Sequence, residues 1–198
     1  MATRTDLTWF RAPSADRPGT TNLCYHALDR RVIRGEASEI ALTTAGQAYD
    51  VAALLAEVGA LGGVMRSFDL APGQVVAIGL GDPVTRALAV LATLRLGAVV
   101  ADTTDDAAMV LTDGSLEPLA GVPALLHGTA SQDPVWQLEW EFALSAGRTD
   151  PAAVVDVAGD APALRLDGMT VLTRDVLDDG SEPARLVAAL GAGEVVVL

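Results

Sequence analysis

The sequence predicts an α/β fold: a layered, mostly parallel sheet with flanking helices. Two observations carry this expectation. Short apolar runs (Val75–Gly79, Ala98–Ala101, Ala108–Thr112) alternate with stretches of helical periodicity, and strands separated by helix-length segments pair in parallel. Of the 198 residues, 51% are hydrophobic and 20% charged, which suits a globular domain with a sizeable core and not a disordered chain. Residues 1–20, mixing Arg, Pro, Ser and Gly, read as an extended segment wrapping a surface. Residues 21–198 read as a single α/β domain, regular over 21–114 and looser over 115–198.

The elements follow in order. Asn22 can cap a helix running to about Arg34, with Leu23, Ala27, Leu28 and Val32 on its apolar face and Gly35 beyond its end. Glu39–Thr43 reads as a short strand, with Gly46–Tyr49 pairing beside it. Asp50 caps a second helix in which Val51, Leu54, Leu55, Val58, Leu61 and Met65 recur at helical spacing. After the turn Asp69–Gly73 comes the strand Val75–Gly79. Asp82-Pro83 is a cap followed by proline at the first helical position; the helix Val84–Leu96 is apolar nearly all round, hence buried, and Gly97 stops it. Strands at Ala98–Ala101 and Ala108–Thr112 follow. Further on, Ala124–His127 reads as a strand and Asp133–Leu144 as a helix with Trp136 and Trp140 one turn apart. Ala161–Leu166 and Glu194–Leu198 read as strands, and Thr173–Leu177 and Pro183–Leu190 as helices.

Composition narrows the function classes. The formal net charge is -13, so phosphodiester backbones and anionic membrane surfaces are repelled. No run reaches the roughly 20 apolar residues of a membrane helix, and the N-terminus, with Arg4, Asp6, Arg11 and Asp16, lacks the apolar stretch of a signal peptide. The cytoplasm is the expected location. A single cysteine, Cys24, excludes an internal disulfide and a cysteine-based zinc cluster. All 13 basic residues are arginine. That usage commonly reflects a GC-rich genome, but it also leaves the chain without a lysine for Schiff-base, phosphate-loop or acyl-adenylate chemistry.

Three stretches resemble one family. Trp9-Phe10 followed by Asn22-Leu23-Cys24-Tyr25-His26-Ala27-Leu28-Asp29-Arg30 is similar to the N-terminal signature of acetyl- and propionyl-CoA synthetases. The family tends to carry asparagine at the place of His26 and histidine at that of Arg31. Glu36–Leu42 with Ala48-Tyr49 resembles its strand pair. Val75–Ala98, with Asp82-Pro83 and Leu94-Arg95-Leu96-Gly97-Ala98, resembles a strand–helix–strand unit shared across the adenylate-forming AMP-binding enzymes. The resemblance runs from residue 9 to about 101 and implies the first subdomain of that family's N-terminal domain.

The departures shape the functional expectation. Near Ala161–Leu166 the family would carry a Thr/Ser/Gly-rich loop with a lysine, offering backbone N–H groups and a cation to triphosphate. Here Ala163-Leu164-Arg165-Leu166-Asp167-Gly168 runs directly into Met169-Thr170-Val171-Leu172-Thr173-Arg174, as if that loop had been excised. After Ala101 the chain passes to Asp105-Asp106-Ala107 with no coenzyme A turn and no arginine-bearing helix. The family's adenine and ribose motifs and its C-terminal catalytic domain have no counterpart before Leu198. The resemblance therefore implies a truncated synthetase-like protein, non-catalytic alone, acting as a binding or interaction module. The expected partner is a second copy or a complete synthetase. The competing expectations are an AMP-forming ligase that completes its site with another chain, and a piece of a longer synthetase.

No residue stands out as catalytic, cofactor-binding or metal-ligating, and no cofactor is expected. Gly79-Leu80-Gly81-Asp82 lies between strand and helix, where dinucleotide loops occur, but it lacks the third glycine and places an acid at the helix start. A plain turn is the better reading. Asp102, Asp105 and Asp106 could attract a divalent cation, yet their spacing matches no calcium loop, which favours a solvated acidic turn. His26 and His127 with Cys24 are too few for zinc, and Cys24 and His26 fall on different helix faces. Trp136 and Trp140 could stack on a flat ligand but read better as core or subunit-contact residues. Ser115, Ser131 and Ser145 lack the flanking glycines of a nucleophile elbow.

Overall fold

A computed structural model describes residues 6–198; Arg4 and the first part of the 1–20 segment lie outside the described residues. The chain opens with β1 (Trp9–Arg11) and β2 (Thr20–Thr21), an antiparallel pair within the segment expected to wrap a surface. The first helix begins at residue 23, widens into a π-helical turn at Tyr25–Asp29 and finishes as α1 (Arg30–Ile33). Asn22 caps it, its side-chain oxygen accepting from the Tyr25 N–H at 3.1 Å. β3 (Ile40–Thr43) and β4 (Ala48–Asp50) pair antiparallel. α2 (Val51–Ser67) starts at Asp50, whose carboxylate accepts from Ala53 N–H at 2.7 Å.

The central sheet begins with β5 (Val75–Gly79), followed by α3 (Pro83–Arg95), β6 (Val99–Ala101), β7 (Ala107–Thr112) and β8 (Ala124–Leu126). Then come β9 (Gln137–Glu139), α4 (Trp140–Gly147), β10 (Pro162–Leu166) and β11 (Met169–Leu172). A 3-10 segment at Thr173–Asp178, α5 (Glu182–Ala192) and β12 (Val196–Val197) complete the chain. The seven-stranded sheet has the order β11-β10-β6-β5-β7-β8-β9. All its pairings are parallel except β10 with β11. A smaller sheet has the order β12-β3-β4. The α/β class and the mostly parallel sheet are as the alternation predicted.

One expected element is corrected and one strand is added. Asp133–Leu144 is not one helix: its middle, Gln137–Glu139, is the edge strand β9, and α4 begins only at Trp140. Pro134 lacks an N–H, the Asp133 carboxylate accepts from Val135 N–H, and the Gln137 side chain accepts from the N–H groups of Gln132 and Asp133. These local bonds build a turn where a helix would need its own ladder. Trp136 is therefore 39% exposed and Trp140 buried at 3%, on different elements and not stacked one turn apart. The strand β11, Met169–Leu172, is an element that the sequence pattern did not announce. Asp167 (φ 50°) and Gly168 (φ 74°) form a two-residue hairpin turn between β10 and β11. Positive φ at both central residues matches the twist of a tight hairpin, and Asp-Gly is a preferred pair for it.

The connection between β6 and β7 is unusually short. These strands lie on either side of β5 and parallel to it, yet only residues 102–106 join them. Parallel crossovers ordinarily take a dozen or more residues and carry a helix. This one is feasible because Ala101 pairs level with Ala77 and Ala107 level with Val75, so the chain drops back by only a short step. One face of the sheet is left without a helix as a result. Val76, Val100, Met109, Leu111 and Leu125 join the large core built with residues of α2, α3, α4 and α5. Val75, Ala77, Val99, Ala101, Val110 and Ala124, on the opposite face, form two small clusters that contain no helix residue, with Leu116 and Val122 of the 113–123 loop packed on one of them.

Candidate functional site

In an open parallel sheet, the place for a ligand is the carboxyl end of the strands where strand order reverses. Here the order reverses at β5, because the chain moves from β5 to β6 on one side and then to β7 on the other. The residues at that point are Gly79–Asp82 and Thr112–Gly114.

The turn amides there already have partners. The Asp113 carboxylate accepts from Gly81 N–H at 2.6 Å. Asp82 caps α3, accepting from Thr85 N–H at 2.8 Å and from the Thr85 hydroxyl at 2.6 Å. These bonds hold both carboxyls below the usual range: Asp82 through the Thr85 hydroxyl and amide, Asp113 through the Gly81 amide. Gly79 is overlaid by Ser115 and Leu116, so closely that a Cβ there would meet the Leu116 Cγ at 2.5 Å. At the β10–β11 turn the same thing happens: the Asp102 carboxylate accepts from Asp167 N–H at 2.8 Å. A phosphate at these turns would meet carboxylates where it needs donors.

Beside them opens a cleft of about 700 Å³ between the β3–β4 turn, the N-terminus of α3 and α4. Its walls include Gln47, Tyr49, Asp82, Thr85, His127 and Trp140. His127, just past β8, sits with its Nε2 3.5 Å from the Thr85 hydroxyl and packs edge-on against Trp140 with ring centres 5.9 Å apart. On the rim, Arg148 grips Glu57 with bonds of 2.8 and 2.9 Å. Burial, together with the charges of Glu57 and Asp82, pushes the Tyr49 hydroxyl up, so it stays a protonated donor. The cleft thus offers hydroxyls, an imidazole and an excess of carboxylates, with its one arginine already paired.

The N-terminal signature lies elsewhere and is structural. Asn22 donates to the carbonyls of Arg95 and Val155 at 3.0 and 3.1 Å. The Arg95 guanidinium meets Asp29 at 2.8 Å, lies 3.6 Å from the Cys24 sulfur and donates to the Ala152 carbonyl at 2.7 Å. Burial pushes the Cys24 thiol up to about 12, so it is no nucleophile. His26 is fully buried on the other side of the helix. Its Nδ1 accepts from Thr8 N–H, its Nε2 abuts Gly191 of α5, and burial with Arg30 and Arg34 nearby pulls it down to about 4. Cys24 and His26 are not paired, as their spacing implied.

The acidic turn is likewise accounted for. Asp102 clamps the hairpin, the Thr103 hydroxyl donates to Asp105, and Asp106 lies 3.6 Å from Arg165. Among the described residues no three His, Cys, Asp or Glu side chains are placed to hold a metal ion. The Ser131 hydroxyl donates to the Gln137 carbonyl, and Ser115 packs on Gly79. Asp113 and Tyr49 are the residues that sequence reasoning missed. An acid directly after a strand, followed by Gly114, was the available signal for the first.

No protein-family model matches the sequence, and no curated protein matches it. Solved structures do. The chain superposes on an acyl-CoA synthetase from Brucella canis with a TM-score of 0.74 at 16% identity, covering 95% of this chain and 44% of that one. It also superposes on a mutant form of coronafacic acid ligase from Pectobacterium brasiliense with a TM-score of 0.71 at 13% identity, covering 90% and 45%. The fold is that of adenylate-forming enzyme domains. At these identities the likeness concerns the fold alone, and the chain spans less than half the length of either of those proteins. Among the described residues no helix is long and apolar enough to cross a membrane.

Proposed function

We propose that this chain is an acyl-CoA synthetase-like module, of acetyl- or propionyl-CoA synthetase type, that does not adenylate by itself and acts in binding or interaction. The observation that carries the reading is the set of carboxylates on the turn amides: Asp113 on Gly81, Asp82 on Thr85 and Asp102 on Asp167. Preorganised donors aimed at phosphate are what adenylation requires, and losing one such donor typically costs ~10²–10³ in rate. Here each of these three donors is spent on an internal acid, and no lysine is present to supply a cation. The test is pyrophosphate exchange with ATP and acetate or propionate. No exchange above background is expected from the purified chain; robust exchange would sink the proposal.

A second reading has a specific observation behind it. Coverage of 44% and 45% of the two superposed chains suits a piece of a longer ligase, or one that draws the rest of its site from another chain. Intact mass of the protein from its source separates these: a mass well above 20.4 kDa supports a longer ligase.

A further inference from the structure

At the β12 edge a strand open on one side lies beside an apolar groove. β12 ends the smaller sheet and pairs on one side only, parallel to β3. The Leu198 N–H donates to the Thr43 carbonyl at 2.9 Å. Backbone groups alternate in direction along a strand, so the Val197 N–H and C=O point away from β3 with no strand among the described residues to meet them. Val195 and Val197, two apart and hence on one side of the strand, are 48% and 79% exposed.

Alongside runs an apolar groove of about 330 Å³ between α3, α5 and β12, walled by Ala87, Val90, Leu186 and Ala189. Arg86 and Arg185 stand at its rim. Arg86 is paired with Glu182 at 2.7 Å. Among the described residues Arg185 has no ion pair, and neither does Glu194 at the entry to β12.

From this we infer that the β12 edge and its groove are a self-association surface whose occupant is a second copy of this chain. β12 returns alongside α5, which brings Leu198 to the Arg185 end of that helix and leaves Glu194 at the other. When two copies meet edge to edge with antiparallel β12 strands, a twofold axis relates them. Each Glu194 then falls opposite the partner's Leu198, beside the partner's Arg185. The two unpaired charges satisfy each other twice over, the exposed valines cover the facing grooves, and the Val197 peptide groups gain partners. Such an isologous contact closes on itself and does not propagate into fibres. The inference gives a partner to the interaction module proposed above, but its geometry does not depend on that reading.

Sedimentation velocity over about a hundredfold range of concentration tests it by mass action. A monomer–dimer equilibrium is expected. Arg185→Glu and Glu194→Arg should each weaken it about tenfold or more, since like charges then face each other across the interface. The double variant, with the charges exchanged, should restore it. Val197→Asp, at a side chain open to solvent, should abolish the dimer without touching the charge pair. A chain that stays monomeric throughout overturns the inference, as does a dimer indifferent to these substitutions or unrescued by the exchange. Neither outcome bears on the pyrophosphate-exchange assay, so failure of the interface and failure of the non-catalytic reading are told apart.

Discussion

The two faces of the central sheet solve one problem in different ways. A parallel sheet must have both faces covered. On one face α2, α3, α4 and α5 lie over Leu111, Leu125 and Met109, which are buried at 0–1%. On the other, Leu116 and Val122 of the 113–123 loop pack on the cluster that holds Ala77, Val110 and Ala124, and Val75, Val99 and Ala101 form a separate small cluster. Bulky side chains fill the space under the helix layer, whereas most of the residues under the loop are Ala and Val, with Leu126 among them. The difference traces to the five-residue link between β6 and β7 and to the 113–123 loop, which presses Leu116 onto Gly79. The same loop brings Asp113 to the Gly81 amide. Covering part of this face without a helix and occupying the Gly81 amide are thus two consequences of one loop.

The sharpest way to break this comparison is a matched pair of truncations on adjacent residues of β7. Leu111→Ala opens a cavity under the helices and should cost ~2–5 kcal/mol. Val110→Ala removes less volume against a loop able to settle into the gap, and should cost roughly 1–2 kcal/mol. Urea unfolding measures both. Equal losses would mean that the loop-covered face is packed as rigidly as the helix-covered one.

Most of the helix-covered face was legible in the sequence. The spacing of Val51, Leu54, Val58, Leu61 and Met65, the caps at Asn22, Asp50 and Asp82, and the buried run from Val84 to Leu96 are local signals, and each element formed where they placed it. The parallel order followed from alternation alone. The looser half was harder to read because its structure depends on side chains bonding to nearby backbone. Gln137 and Asp133 turn a helical apolar pattern into a strand, and the Asp167-Gly168 hairpin needs a partner strand that no periodicity announces. At the glycine turn, the partner of the Gly81 amide lies 32 positions away in Asp113, a distance that no local pattern spans.

His26 sharpens the comparison through pH, because its imidazole is fully buried between the Thr8 segment and α5. Its pKa falls from 6.5 to about 4 on folding, so between those values the unfolded chain binds a proton that the native chain refuses. Stability must therefore be full above about pH 6.5 and fall as the pH drops toward 4, by about 2–3 kcal/mol. The charges facing it are Arg30 and Arg34, which oppose protonation and deepen the loss. His26→Leu should flatten this part of the pH–stability curve whatever it does to stability at neutral pH. A slope that survives the substitution would place the acid sensitivity elsewhere.

The smallest effect is expected at the boundary between the two faces, where Asp82 starts α3. Replacing an N-cap aspartate with alanine costs ~1 kcal/mol, and Asp82→Ala should lose about that much at pH 7 because the Thr85 amide and hydroxyl lose their acceptor. The pH dependence has the same sign as that of His26 but the opposite cause, since hydrogen bonds favour the charged form of Asp82 whereas burial disfavours the charged form of His26. Asp82 has a lowered carboxyl pKa, so its contribution is present above its unfolded value of 3.8 and disappears as the pH falls through the lower native value. The gap between parent and variant should therefore hold steady from pH 7 down to about 4, while His26 erodes both proteins equally, and close only below that. A gap that closes well above pH 4 would show that the cap does not rest on the Asp82 carboxylate alone.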